Sequence, residues 1–228
     1  MIALGGRGRL LLLALCGGPL AAAQADGGFE HLAIRLERNM TDHDVEIVFE
    51  VTGGERGLKS LKAVAPDGRT VFDLQSPQTA LGLRSFRIES PEPKALEALL
   101  KDYPAGEYRF SAVSVSGEAL SGSALLAPAL PTAATVISPQ PGASQVDPRS
   151  VQIRWGAGGG RASCIVSIED EASGRTVLQA TLPGSATSLA VPERTLGAGT
   201  RYKLAIGTVA EGGNASYVES TFATARRP

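Results

Sequence analysis

The residues best suited to chemistry in this chain form a dense polar cluster, Thr41-Asp-His-Asp44, followed by Glu46. Carboxylates at alternate positions could supply oxygen ligands to calcium. The cluster lacks the loop spacing of an EF-hand, however, and it lies where an alternating strand pattern begins. His31 and His43 are the only histidines, and a structural zinc site usually needs four nitrogen or sulfur ligands. We therefore interpret the cluster as a solvated turn and predict no metal site and no cofactor.

Nucleophilic catalysis has little support in the sequence. No serine lies in a Gly-x-Ser-x-Gly elbow, and the C-terminal half contains no histidine. Cys164 lies in an alternating apolar pattern, which is typical of a small buried hydrophobic residue. Gly158-Gly-Gly160 is not followed by Lys-Ser or Lys-Thr, so it predicts a turn between strands and not a phosphate-binding loop. We predict no catalytic residue and no enzyme, although a carboxylate pair for glycoside hydrolysis stays open because such a pair is defined in space.

The N-terminal residues 1–25 have the features of a signal peptide. Arg7 and Arg9 precede an apolar run from Leu10 to Cys16, and Ala23-Gln-Ala25 is a small-x-small cleavage site. The apolar run is too short to span a bilayer, which needs about 20 residues. We expect an exported protein, periplasmic or secreted, with no transmembrane segment. Cys164 would then be the one cysteine left, so no internal disulfide could form.

Composition argues against two further classes of protein. The formal net charge is -1 and neither half is strongly basic, so the charge pattern of a nucleic-acid binder is missing. Hydrophobic residues make up 43% of the chain, which is too many for an intrinsically disordered protein. We therefore expect a folded protein that binds no nucleic acid.

The C-terminal half, residues 134–225, reads as short strands separated by turns. Val151, Ile153 and Trp155 alternate with polar residues, and similar alternation recurs around Cys164 and Tyr202. Such a series of short strands favours a β-sandwich. A Pro-rich, uncharged stretch before it predicts a linker over 129–133.

Four features of this half are similar to a fibronectin type III domain. Leu196 precedes Tyr202 by six residues across a Gly-Thr turn, Trp155 lies earlier, and Thr224 closes the segment. Cys164 departs from the family, which often has a tyrosine there. The resemblance implies a sandwich with Trp155, Leu196 and Tyr202 in structural roles. It also implies a binding or spacer module, and it identifies no ligand.

The N-terminal half, residues 27–128, is predicted to be an immunoglobulin-like β-sandwich with a short helical insertion near 92–102. Leu32, Ile34 and Leu36 alternate with His31, Ala33 and Arg35, and apolar and polar residues alternate from Asp44 to Val51. Both patterns predict half-buried strands. Two tetrapeptide echoes link the halves. Gly68-Arg-Thr-Val71 recurs at 174–177, and Ala105-Gly-Glu-Tyr108 resembles 198–202. The fold class predicted is therefore all-β, with two tandem immunoglobulin-like sandwiches after a signal peptide.

The loop between the last two predicted strands is the candidate binding site. Loops at the end of a sandwich often carry recognition residues, and this loop offers Glu211, Gly212, Gly213, Asn214 and Ser216. The function predicted is a non-catalytic exported binding protein of the cell envelope or extracellular space, whose partner is another protein or a glycan. A carbohydrate-active accessory module or hydrolase and a purely structural spacer are the alternatives.

Overall fold

A computed structural model describes residues 28–76, 78, 82–91 and 95–226. The predicted signal peptide 1–25 and the start of the predicted helical insertion, 92–94, lie outside these residues. Among the residues described, no helix has the length and apolar character needed to cross a bilayer.

Over the described residues the fold is an all-β sandwich with one short α-helix and a three-residue 3-10 helix, Gly54–Arg56. We call strands β1–β7 the first half and strands β8–β15 the second half. The first half consists of β1 (His31–Asn39), β2 (Asp44–Thr52), β3 (Leu58–Val64), β4 (Thr70–Gln75), β5 (Ser85–Glu89), α1 (Leu96–Asp102), β6 (Gly106–Ser114) and β7 (Ala119–Leu126). The second half consists of β8 (Thr135–Ser138), β9 (Ala143–Val146), β10 (Gln152–Gly156), β11 (Ser163–Asp170), β12 (Arg175–Pro183), β13 (Ser188–Ala190), β14 (Arg201–Val209) and β15 (Ala215–Thr224).

The two halves have the same strand order. In the first half, β1-β2-β5 faces β4-β3-β6-β7, and in the second half, β8-β10-β13 faces β12-β11-β14-β15. The tetrapeptide echoes fall at equivalent places, since Gly68 lies in the β3–β4 turn and Gly174 in the β11–β12 turn. Both glycines have positive φ, 85° and 67°, which side-chain-bearing residues rarely adopt. The short sequence echoes therefore mark a shared topology.

Each half has its own hydrophobic core, because alternate residues of facing strands point towards each other. In the first half, Phe49 lies between Phe72, Tyr103 and Tyr108 with edge-to-face ring contacts. In the second half, Trp155 is buried among the side chains of Ile153, Val166, Leu204 and Phe222, among others. Helix α1, which lies within the predicted 92–102 segment, adds the buried Leu99 to the first core.

One sheet runs through both halves. The first strand of the first half, β1, pairs in parallel with the last strand of the second half, β15, which gives the order β12-β11-β14-β15-β1-β2-β5. Strand β9 also pairs with β15. The predicted boundaries at 27–128, 129–133 and 134–225 stay a prediction, since two cores share this continuous sheet.

Candidate functional site at the junction of the two halves

The junction is built from backbone pairing at one end of β1 and β15. Glu37 lies opposite Ala215, and Asn39 lies opposite Tyr217. Just beyond the strand, the Met40 N–H donates to the Tyr217 carbonyl at 2.9 Å. These contacts place the β1–β2 turn beside β15, so the turn belongs to the junction.

Asn214 links three segments of the chain. Its Oδ1 accepts the Leu36 N–H at 2.9 Å, and its Nδ2 donates to the carbonyls of Ala127 at 2.8 Å and Ala129 at 2.7 Å. Ser216 lies alongside and donates its hydroxyl to the Pro131 carbonyl at 2.7 Å. The linker between the halves is therefore tied to the sheet by side-chain hydrogen bonds, of which the Ser216 bond is buried and the two Asn214 bonds are partly buried.

These contacts restrict the predicted binding loop. Asn214 and Ser216 are 1% and 0% exposed, and their polar groups bond within the chain, so neither presents a surface to a partner. Glu211 and Gly212 are exposed and Gly213 is half-buried. Gly213 lies beside Arg35, since a Cβ there would be 3.9 Å from the Arg35 Cδ. Residues 211–213 are therefore the part of the predicted binding loop that is still available to a partner. Their binding role stays a prediction.

Next to this loop, a network of ion pairs covers the outer face of β1, β2 and β5, which is the face turned away from the core. Arg35 donates to Glu37 at 2.7 Å and to both carboxylate oxygens of Glu50 at 2.8 Å. Arg87 bridges the same two carboxylates at 2.9 Å each and also bonds to Glu89. The Arg35 and Glu37 side chains are only 5% and 8% exposed. Charges at such low exposure are stable only because each one is paired.

The pKa shifts follow from this pairing. Burial alone would raise the pKa of Glu50, but hydrogen bonds from His31 and Arg35 and the Arg35 charge hold it well below its usual range. Burial likewise opposes the charged guanidinium groups of Arg35 and Arg87, yet their carboxylate partners raise both pKa values. Arg35, Glu50 and Arg87 are therefore all ionised at neutral pH.

The burial of this outer face differs from the sequence prediction. Alternation in β1 and β2 predicted one wet face, whereas Arg35, Glu37, Asp44 and Glu46 are all buried. The predicted solvated turn is accordingly correct for residues 41–43, which are exposed, and wrong for Asp44 and Glu46. The sequence does carry one sign of this buried network, which is opposite charge at alternate positions, as in Arg35-Leu-Glu37 and Arg87-Ile-Glu89. That pattern predicts ion pairs between strands only once β1, β2 and β5 are known to be neighbours.

On the same face of the second half, Tyr217 lies flat against the sheet. A Cβ on Gly207 would be 2.4 Å from the Tyr217 Cε1, so only glycine leaves room for the ring. The Tyr217 hydroxyl is buried and has no hydrogen-bond partner in the part of the chain that is described. Burial, followed by the nearby Glu37 charge, raises the pKa of Tyr217 well above its usual value. The phenol therefore stays neutral.

The three residues predicted to be structural are all buried in the second half: Trp155, Leu196 and Tyr202 are 2%, 5% and 2% exposed. The Tyr202 hydroxyl accepts the Gly197 N–H at 2.7 Å, which fixes the strand entry. The first half has an equivalent contact, in which the Tyr108 hydroxyl donates to the Pro104 carbonyl at 3.0 Å. Cys164 is buried in the second core and is a free thiol.

Candidate sites for metal or substrate chemistry are sparse in the structure. Across the described ranges, no three His, Cys, Asp or Glu side chains are arranged to hold a metal ion. A shallow cleft of about 420 Å³ lies between β8, β9 and β10, and Asp147 is the titratable residue in its lining. Hydrogen bonds from the Arg149 N–H and the Ser150 hydroxyl lower the pKa of Asp147, which keeps it ionised. A general acid must carry a proton to donate, so a carboxylate that stays ionised in an open cleft is unsuited to that role.

Comparisons with known proteins give matches at the level of structure. No family model matches the chain, and no curated protein matches its sequence. A two-domain fibronectin type III segment of chicken tenascin is 16% identical, with a TM-score of 0.34 over 87% of this chain and 98% of that one. The fibronectin(III)-like modules of Clostridium thermocellum CbhA are 8% identical, with a TM-score of 0.35 over 87% and 94%. CopC from Methylosinus trichosporium OB3b is 21% identical, with a TM-score of 0.31 over 40% and 93%. Fibronectin type III domains are thus among the structures that this chain resembles, as the sequence predicts.

Proposed function

We propose that this protein is a non-catalytic, exported binding module of the cell envelope or extracellular space. The observation that carries the proposal is the junction, where Asn214 and the β1–β15 pairing hold the two halves in one sheet. A fixed sheet presents its loops and edges in a constant arrangement, which lowers the entropy lost when a partner binds. The protein would therefore act by presenting loops and strand edges to a partner in a fixed arrangement.

The use of the polar residues supports a non-catalytic role. Glu37 and Glu50, which lie together, are both held by Arg35 and Arg87, so neither is poised to exchange protons with a substrate. A glycoside hydrolase needs one carboxyl group with a raised pKa, whereas the pKa of Glu50 is lowered. Burial raises the pKa of Glu219, but its carboxylate is paired with the Lys203 ammonium. The Glu37 and Glu50 pair therefore does not suit a hydrolase.

The proposed contact surface is the exposed loop 211–213 at the junction. Loops at sandwich ends are common recognition sites because a rigid scaffold positions them. Glu211 and Gly212 are open to solvent, while the loop base is fixed by Asn214. A spacer is the second candidate, and the tied linker favours it, since a spacer also benefits from fixed geometry.

Affinity capture with matched variants separates these proposals. The full chain and its Glu211→Lys variant would be immobilised and exposed to cross-linked envelope extract from the source organism. A third sample, Glu193→Lys, carries the same charge change on an exposed loop at the opposite end of β14. We expect one partner, retained by wild type and the Glu193 variant and lost by the Glu211 variant. Equal capture by all three would place the contact elsewhere, and empty captures would favour the spacer.

A further inference from the structure

Beyond the β1–β15 pairing, the two halves also meet where the β1–β2 turn lies against the middle of β15. The Thr41 hydroxyl accepts the Glu219 N–H at 2.8 Å and donates to the Glu219 carbonyl at 3.3 Å. This side chain takes the place of a backbone partner for β15, next to the bond from the Met40 N–H to the Tyr217 carbonyl. Residues 40–42 are exposed, so this turn contact, as we call the Thr41–Glu219 pair, lies at the surface of the junction.

The Glu219 side chain places a largely buried carboxyl group at the turn contact. It is 9% exposed and lies 2.6 Å from the Lys203 ammonium of β14, which is 20% exposed. Asn39 connects it to the turn, since its Nδ2 donates to Asp42 at 3.0 Å and its side chain also bonds to Glu219. Two carboxyl groups, Asp42 and Glu219, are thus gathered around one amide and one ammonium group.

The balance of forces on Glu219 favours its protonated form. Burial raises the pKa of Glu219 above its usual value, and the Asp42 charge acts in the same direction. The Lys203 ammonium opposes this shift without cancelling it. Glu50 is the reverse case, with a lowered pKa, because hydrogen bonds and the Arg35 charge outweigh burial there. These two carboxyl groups of the outer face therefore respond to pH in opposite directions.

Other charged or titratable groups that face this point come from β15, β11, β2 and the turn itself. They are Tyr217 on the same face of β15, Glu169 opposite Lys203 on β11, His43 in the exposed turn, and Asp44 opposite Asn39 on β2. Tyr217 stays neutral because burial raises its pKa. Lys203 is therefore the ammonium partner on which an ionised Glu219 depends.

We propose that Glu219 makes the turn contact a pH-sensitive link between the halves, closed in acid and more readily opened at neutral pH. An ionised Glu219 is better solvated in water than beneath the turn, so its charge favours the state in which residues 40–43 lift from β15. Protonation removes that cost, and the neutral carboxyl group stays buried. Because the pKa of Glu219 is higher in the closed state, that state binds the proton more tightly and is stabilised as the pH falls. The inference goes beyond the proposed binding role and does not depend on loop 211–213.

Amide hydrogen exchange of the full chain, read by NMR, tests the link. The N–H groups of Glu219 and Met40 report on it, since both donate across the contact. After correction for the intrinsic exchange rate, we expect their protection to fall at least about twofold between about pH 4 and about pH 8. Glu219→Gln keeps the size of the side chain without its charge, so it should raise protection at the higher pH and remove the pH dependence. Wild-type protection that is constant or rises with pH would overturn the proposal, as would a Glu219→Gln variant that exchanges faster than wild type.

Two control variants separate Glu219 from other groups that titrate. His43→Asn removes the titratable side chain of the turn, and asparagine tolerates the positive φ of 58° at this position. Glu193→Gln removes an exposed carboxyl group at the far end of β14. Both should keep the wild-type pH dependence at Met40 and Glu219. If His43→Asn abolishes it, the turn histidine and not Glu219 controls the contact, and the proposal is wrong.

Discussion

The outer face of the long sheet is polar and ionic in the first half but largely apolar in the second. On β1, β2 and β5 it carries Arg35, Glu37, Glu50 and Arg87 as paired charges. On β11, β14 and β15 it carries Ile165, Ala205, Val209, Ala215 and Tyr217 as a small apolar cluster. One face of a continuous sheet thus carries opposite chemistry in its two parts, which are non-equivalent layers of the two halves, since β1-β2-β5 corresponds in strand order to β8-β10-β13. The comparison shows that membership of one sheet leaves the character of its face open, and that the side chains of neighbouring strands decide it.

The largest expected effect concerns the core of the second half, which lies beneath that face. Trp155→Ala should lower the free energy of unfolding by about 3–5 kcal/mol, because it removes a large buried side chain and leaves a cavity. The effect should fall on the second half, where Trp155 is 2% exposed. Chemical denaturation followed by circular dichroism measures the loss. A variant that unfolds like wild type would show that Trp155 contributes little to the core.

The ion-pair network of the first half predicts that the free energy of unfolding depends on pH. Glu50→Gln should cost about 3 kcal/mol near neutral pH, since it leaves buried arginine charge less well paired. The folded-state pKa of Glu50 lies below its unfolded value, so its stabilisation is present above about pH 4.3 and is lost as the pH falls below that. The stability difference between wild type and variant should therefore shrink on acidification.

Denaturation curves at a series of pH values would measure this difference. Glu193→Gln, at an exposed position, is the control and should track wild type throughout. A Glu50→Gln deficit that stays constant down to strongly acidic pH would show that the network does not depend on the Glu50 charge.

The connection between the halves should have an intermediate effect. Asn214→Ala removes three hydrogen bonds at the junction and should cost about 2 kcal/mol, because buried polar groups are left without partners. It should also separate the unfolding of the two halves, which calorimetry would resolve as a broader or double transition. Gly212→Ala, in the exposed part of the same loop, serves as the control. A single sharp transition in the Asn214 variant would argue that backbone pairing alone couples the halves.

The smallest expected effects compare the two tyrosines at equivalent strand entries. Tyr202→Phe and Tyr108→Phe each remove one hydrogen bond and should cost about 1 kcal/mol. The two hydroxyls have opposite roles, since Tyr202 accepts from the Gly197 N–H and Tyr108 donates to the Pro104 carbonyl. Thermal melts of both variants measure the costs. If one of these variants melts like wild type, packing alone maintains the strand entry at that tyrosine.

Much of the fold follows from local patterns that the sequence displays. Alternation of apolar residues predicts strands, and Pro66-Asp-Gly68 predicts the β3–β4 turn, because each depends on the geometry of a few adjacent residues. The sequence likewise places Trp155, Leu196 and Tyr202 in the second core, and helix α1 falls where Leu96, Leu99 and Leu100 have helical spacing. These features need no knowledge of distant neighbours.

The sequence by itself determined which residues form strands, which face of each strand meets a core, and where the equivalent turns lie. Only the tertiary structure decided that β1 would pair with β15, because nothing local to either strand specifies a partner at such separation in the chain. Because of that pairing, Asn214 lies in the junction and accepts the Leu36 N–H, although the sequence predicts it in a binding loop. It also brought together the three strands whose alternate charges neutralise one another. A charge that looks solvated in one strand is buried once its partners on neighbouring strands can pair with it.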